Sequence, residues 1–405
     1  MTQGQSLRIA ILGESYLPYL SGVTVSTEAL ARGLRAAGHE VLLVAPMPAR
    51  GAKPGTAGAL GPDPQVAWLP SFQVPGPALD GYRVPWPIPS AALRAAVDFQ
   101  PKVVHAQSPF TSGLMARRVA RRAGAPLVFT HHTRFADYGH YLGPLSGPGR
   151  ALLAGYLRGF WLGCAAVVAP GSQLAGEIQD RLGRRRRPLV RTIPTGIEVA
   201  AIRSLPAVDP RSLAGWPGDA LVIAALGRLA PEKNVELLVD AFATLAADDS
   251  SVRLLLVGGG PSEAALRQRA AQPDLAGRVY LTGMRPRSLA LALVKGADLF
   301  VATSQTETQG LVLAEALAAG LPVVALEGPG VADSVRDGVD GVIVASEPAG
   351  ERRVRIAAAL GDLARDPARR AVLAAAALAG ADRFDVAARI GEMVDLYREL
   401  LAERR

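Results

Sequence analysis

The chain has 405 residues, 49% of them apolar, with one cysteine, five histidines and a net charge of +8. That length exceeds one ordinary domain and fits two of about 200 residues each. The single Cys164 excludes an internal disulfide and points to a reducing compartment; the histidines lack zinc-ligand spacing, and the longest apolar run, Gly159 to Pro170, is too short to span a membrane.

Leu7-Arg8-Ile9-Ala10-Ile11-Leu12-Gly13 reads as a first β-strand and not as a signal peptide, so the protein is expected in the cytoplasm. A dinucleotide site would follow this strand with Gly-x-Gly-x-x-Gly; the chain has Gly13-Glu14-Ser15-Tyr16-Leu17-Pro18 instead. Gly22 precedes a helix predicted over Thr24–Ala37, stopped by Gly38, and would let backbone approach a phosphate at the helix N-terminus. Further strands are expected at Glu40–Ala45, Val66–Leu69, Val103–Ala106, Leu127–Thr130, Ala166–Ala169 and Leu189–Ile193. The Gly/Pro/Ala stretch 46–64 reads as a long mobile loop without assigned chemistry.

A second series begins at Ala220–Leu226 and continues through Val252–Val257, Val279–Thr282, Asp298–Ala302, Pro322–Ala325 and Gly341–Val344. Strands alternating with helix-period segments predict an α/β fold of two Rossmann-like, doubly wound parallel-sheet domains facing a cleft. The domains are expected at 1–205 and 206–385, with Pro194–Ile197 and Leu205–Pro217 as linker. Helices are predicted at Glu351–Arg365, Ala368–Ala379 and Phe384–Glu403, the last (386–405) packing back towards the first domain.

Charge is unevenly placed, with 22 Lys and Arg against 10 Asp and Glu in residues 1–205 and 22 against 26 thereafter. Arg117, Arg118, Arg121 and Arg122 at helical spacing and the run Arg184–Arg187 make most of the excess. An anionic membrane surface is the expected partner. Nucleic acid is not, because these arginines are not interleaved with aromatics and no recognition motif accompanies them.

In the second half, Gly227-Arg228-Leu229-Ala230-Pro231-Glu232-Lys233-Asn234 follows a strand, so two cations suited to a diphosphate emerge at the sheet's carboxyl end. No Asp-x-Asp occurs to hold a bridging metal, so protein cations are expected to take that role and no metal or cofactor is required. Gly258-Gly259-Gly260-Pro261 is a tight strand-to-helix turn expected beside them. In Thr306-Glu307-Thr308-Gln309-Gly310-Leu311-Val312-Leu313-Ala314-Glu315 one carboxylate falls in a strand-to-helix loop and the other about a turn into the helix. In the first half, His131 and His132 end a strand within a segment, Phe129 to Tyr141, that also holds His140; the two adjacent rings are expected on opposite sides, so a neutral histidine here suits a sugar hydroxyl or acceptor oxygen better than a metal. Taken singly, each of these is also an ordinary surface or packing feature. Together they suit a nucleotide sugar.

These residues, in this order, resemble the retaining GT-B glycosyltransferases with a Glu-x7-Glu motif. With His131-His132-Thr133-Arg134-Phe135-Ala136-Asp137-Tyr138, the chain is most similar to the diacylglycerol glucosyltransferases that make membrane glycolipids. Many relatives have Glu-Gly-Phe-Gly in place of Thr-Gln-Gly-Leu, and His131 stands where an aromatic is common. The resemblance implies that Arg228 and Lys233 hold the donor diphosphate and that Gly22 and the backbone of Gln309, Gly310 and Leu311 meet phosphate and sugar. It implies that Glu307 accepts from sugar hydroxyls, Glu315 holds the ribose and His132 contacts the sugar beside the reacting carbon. The implied reaction moves a hexose, glucose favoured, from a UDP-sugar to a lipid acceptor at the inner face of the cell membrane. A GDP-mannose-dependent mannosyltransferase and a non-catalytic nucleotide-sugar-binding protein are the alternatives, and Glu307 as covalent nucleophile is the competing mechanism.

Overall fold

The computed structural model describes residues 5–17, 19, 21–49, 65–74, 82–134, 146–183 and 188–404. The run Arg184–Arg187, most of the 46–64 loop and the part of the histidine segment beyond Arg134 lie outside the described residues. The chain forms two compact units, residues 1–196 with 386–405, and residues 197–385.

The first unit is built on seven parallel strands in the order β3-β2-β1-β6-β7-β8-β9. These are β1 (Arg8–Leu12), β2 (Glu40–Pro46), β3 (Val66–Leu69), β6 (Val103–Ala106), β7 (Leu127–Thr130), β8 (Ala166–Ala169) and β9 (Leu189–Thr192). The antiparallel pair β4 (Ser71–Gln73) and β5 (Arg83–Pro85) is an addition that the sequence pattern did not announce. Apolar residues on both faces are what a sheet covered on two sides requires. Along β1, Ala10 and Leu12 enter one core and Ile9 and Ile11 the other. Helix Val386–Ala402 closes the second of these cores with Ile390, Met393, Val394, Tyr397 and Leu400. It lies so close to helix Gly22–Ala36 that a Cβ on Gly33 would come within 2.5 Å of Ile390 Cγ1.

The second unit holds six parallel strands in the order β12-β11-β10-β13-β14-β15. They are β10 (Leu221–Leu226), β11 (Val252–Val257), β12 (Val279–Leu281), β13 (Leu299–Ala302), β14 (Val323–Leu326) and β15 (Gly341–Val344). Val222 and Ala224 face one core, Leu221 and Ile223 the other. The stretch expected as linker is anchored to this unit. It contains a short helix, Pro210–Ala214, capped by Asp209, and its Arg211 is bonded to the carboxylate of Asp298 and the carbonyl of Ala220.

In each sheet the strand order reverses once, between β1 and β6 and between β10 and β13. Loops leaving the carboxyl ends of those strands diverge and leave room for a ligand. Among the described residues, no helix is long and apolar enough to cross a membrane.

Candidate functional site

The second unit's switch point gathers the loop after β10, carrying Arg228 to Asn234, and the loop after β13, carrying Thr303 to Gly310. Side chains of each loop bond to the backbone of the other. Thr303 Oγ1 donates to the carbonyls of Lys233 (3.1 Å) and Asn234 (3.0 Å), Asn234 Nδ2 donates to Thr303 O at 3.2 Å, and Thr306 Oγ1 donates to Glu232 O at 3.3 Å. Asn234 adopts φ +51°, a conformation Asn tolerates well.

On this frame Lys233 Nζ lies 2.5 Å from Glu307 Oε1. The side chains are 28% and 20% exposed, so the pair is only partly screened by water. Arg228 is exposed. The glycine run after β11 has a mechanical role here. Gly258 (φ +137°) leaves 1.9 Å between a built Cβ and Gly227 O, and Gly260 (φ +158°) leaves 2.4 Å to Leu229 O. Only glycine lets these two loops cross, and the crossing fixes the loop that presents Arg228.

Gly310 caps helix Leu311–Ala318 at φ +73°, Gln309 before it is buried, and Ser334 Oγ donates to Gln309 O at 2.7 Å. Glu315, the fifth residue of the helix, is 2% exposed, and its Oε1 meets the guanidinium of Arg287. The two glutamates therefore engage two different cations. Arg287 was not legible from the sequence: it opens a helix, Arg287–Lys295, that belongs to a different part of the pattern.

In the first unit, Ser21 caps helix Gly22–Ala36, its Oγ accepting from Thr24 N at 3.2 Å. Gly22 is exposed and a Cβ there would meet nothing within 4 Å. After β1, Glu14 is buried and accepts from the backbone N and the Oγ of Ser112, both at 2.8 Å, at the start of helix Thr111–Ala123. At the ends of β6 and β7, Gln107 Oε1 lies 2.7 Å from His132 Nε2. Burial pushes the His132 imidazole down to about 4, so it is neutral at physiological pH. His131 points the other way, among the rings of Phe129 (5.5 Å) and Trp161 (5.4 Å), and burial with the nearby His132 charge drives it to about 3. Gln107 was missed from sequence, although its place at the carboxyl end of a switch-point strand is the signal that could have found it.

Three of the four expected surface arginines, Arg118, Arg121 and Arg122, are exposed. Arg117 differs: its guanidinium packs over Gly163, where a Cβ would come within 2.4 Å of Nη2. Large apolar side chains are also exposed on helix Thr111–Ala123 and on helix Ser146–Trp161. Leu114 (48% exposed) sits one turn before Arg118, the Phe110 and Tyr156 rings stack at 6.0 Å, and Leu152, one turn before Tyr156, is 78% exposed.

Residues 20–201 match the family described as Glycosyltransferase Family 4, and residues 211–377 the family described as Glycosyl transferases group 1. Over 348 residues the chain is 30% identical to an alpha-monoglucosyldiacylglycerol synthase of Streptococcus pneumoniae, covering 84% of this chain and 76% of the relative. It is also 30% identical over 380 residues to a GDP-mannose-dependent alpha-mannosyltransferase of Mycobacterium tuberculosis, covering 92% of each. The structure of HepE from Anabaena, solved in complex with UDP and glucose, is similar with a TM-score of 0.71 at 19% identity, over 97% of this chain and 100% of that one. Two parallel switch-point sheets, matched along both halves by one kind of enzyme, leave a single assignment: the chain belongs to the group 1 glycosyltransferases and has the GT-B fold.

Proposed function

We propose that the protein transfers glucose from UDP-glucose to diacylglycerol with retention, giving an α-glucolipid, and that it needs no metal. The observation that carries this reading is the set of cations and carboxylates fixed at one switch point: Arg228, Lys233 paired to Glu307, and buried Glu315. Arg228 and Lys233 neutralise the leaving diphosphate, Glu307 and the Gln309–Leu311 backbone take sugar and phosphate, and Glu315 takes the ribose. In the transfer, the bond from the anomeric carbon to the phosphate oxygen breaks and a bond to the acceptor hydroxyl oxygen forms on the same face. The hydroxyl proton passes to a phosphate oxygen, and UDP leaves. Glu307 held in an ion pair suits an orienting role better than that of nucleophile. Neutral His132 donates or accepts a hydrogen bond at the sugar and carries no charge.

A lipid acceptor is favoured by the Streptococcus pneumoniae relative and by exposed Leu114, Leu152 and Tyr156 together with exposed Arg118, Arg121 and Arg122, which suit a bilayer and its anionic headgroups. The inner face of the cell membrane is the site of action in this reading. A second reading, GDP-mannose as donor, is favoured by the mycobacterial relative's match over 92% of this chain. Labelled UDP-glucose and GDP-mannose offered with diacylglycerol vesicles in the presence of EDTA separate the two. Transfer from UDP-glucose into an α-anomeric lipid product is expected; transfer from GDP-mannose alone installs the second reading, and loss of turnover in EDTA removes the metal-free mechanism.

A further inference from the structure

Glu315 poses a physical problem that its reading as a ribose ligand does not solve. A carboxylate left 2% exposed is costly unless a cation and hydrogen bonds meet it. Lys233 is engaged by Glu307, and among the described residues the cation that meets Glu315 is Arg287, through Nη2 to Oε1.

Both partners stand on helices that pack into one core. Ala290, Leu291, Leu293 and Val294 of helix Arg287–Lys295 share a cluster with Leu313, Ala314, Ala316 and Leu317 of helix Leu311–Ala318. Neither end of the pair is on a long loop, so the contact fixes the carboxylate's rotation as well as its charge. We propose that Arg287 is a positioning residue for nucleotide recognition, clamping Glu315 by one oxygen so that the other is presented to the ribose cis-diol. The inference rests on the reading of Glu315 as the ribose ligand. Arg287 then sets how strongly the site distinguishes a ribonucleotide from its 2′-deoxy counterpart, while acting on the ligand only through Glu315.

Calorimetric titration of the full chain with UDP and 2′-deoxy-UDP tests this, with GDP and 2′-deoxy-GDP in parallel. The wild type is expected to prefer the ribonucleotide by about tenfold or more, the scale of one well-placed hydrogen bond. Arg287→Met is expected to bring the two affinities to within about twofold, chiefly by weakening the ribonucleotide, and Arg287→Lys to recover part of the preference. A general loosening of the unit would weaken both ligands equally, so an unchanged ratio in Arg287→Met overturns the proposal. Should Arg287→Met fail to fold, the Arg287→Lys ratio decides: a full wild-type preference with Lys in place of the guanidinium fork contradicts the clamp. Glu315→Gln separates the two levels. If it keeps the preference, the reading of Glu315 fails; if it loses the preference while Arg287→Met keeps it, only the role of Arg287 fails.

Discussion

Lys233 and Glu307, 74 positions apart in sequence, meet at 2.5 Å across the carboxyl ends of β10 and β13. The contact brings together a cation suited to phosphate and a carboxylate suited to sugar hydroxyls, and each satisfies the other. On the proposed function, a donor that inserts its diphosphate and sugar replaces that pair by two new ones. The site is thus charged in advance without leaving a half-buried charge alone.

In the proposed function Lys233 neutralises the leaving diphosphate, and Lys233→Ala removes that charge. By analogy with the loss of one preorganised donor, kcat/KM should fall by about 100- to 1,000-fold, or about 2.7 to 4 kcal/mol. Arg228→Ala should fall in the same range, and normal turnover in either variant removes the assignment of that residue.

Gly22 offers a test of whether a glycine serves the ligand or the fold. Its φ is not in the left-handed region and its Cβ position is open, so Gly22→Val has no clash to relieve and should leave the melting temperature close to that of wild type. If Gly22 meets the donor phosphate as the resemblance implies, turnover should fall by about tenfold or more, about 1.4 kcal/mol. Gly258→Ala should behave oppositely, lowering the melting temperature, because its Cβ would lie 1.9 Å from Gly227 O.

Buried His105 and His131, with half-buried His132, make the first unit acid-sensitive. His105, whose Nδ1 and Nε2 lie 2.6 Å from Tyr397 Oη and 2.7 Å from Thr130 Oγ1, is pushed by burial and by the neighbouring His132 from 6.5 to about 3; His131 lies at about 3 and His132 at about 4. Each folded value is below the unfolded one, so the unfolded chain binds more protons in the window between them. Stability is complete above pH 6.5 and is lost as pH falls towards 4, by up to about 1.4 kcal/mol per pH unit for each histidine. Denaturant midpoints measured from pH 7.5 to 4.5 check this, and a flat profile contradicts it. Turnover should show no histidine titration between pH 6 and 8, since His132 is already neutral there.

The exposed basic and apolar side chains predict binding to anionic vesicles. Reversing Arg118, Arg121 and Arg122 to Glu should lower sedimentation with such vesicles by about 100-fold or more, at about 1 kcal/mol per lost cation, and leave UDP binding intact. Leu152→Asp should weaken sedimentation without changing net binding of UDP. Unchanged sedimentation in both removes these side chains as the membrane contact. Arg117 is left out because its guanidinium is spent on the packing over Gly163.

The sheets were legible because a parallel strand covered on both faces writes itself as a short apolar run, as in Leu221–Leu226 or Val252–Val257. Loop cations and carboxylates were legible where they abut such a strand. The pairing was not: nothing local to Arg287 points to Glu315, since their meeting depends on two helices sharing a core. Helix Pro210–Ala214 was read as linker because its Pro and Gly punctuation outweighs five residues of helix, yet Arg211 bonded to Asp298 pins it to the second unit. Gln107 shows the same gap, as an amide between apolar strand and loop whose meaning comes only from His132 at 2.7 Å.

The most direct measurement is a structure of the full chain crystallised with UDP-glucose. The diphosphate is expected within hydrogen-bond reach of Arg228 and Lys233, the ribose on Glu315 and the glucose hydroxyls on Glu307. A nucleotide sugar bound away from the loops after β10 and β13, with the Lys233–Glu307 pair undisturbed, would contradict this expectation.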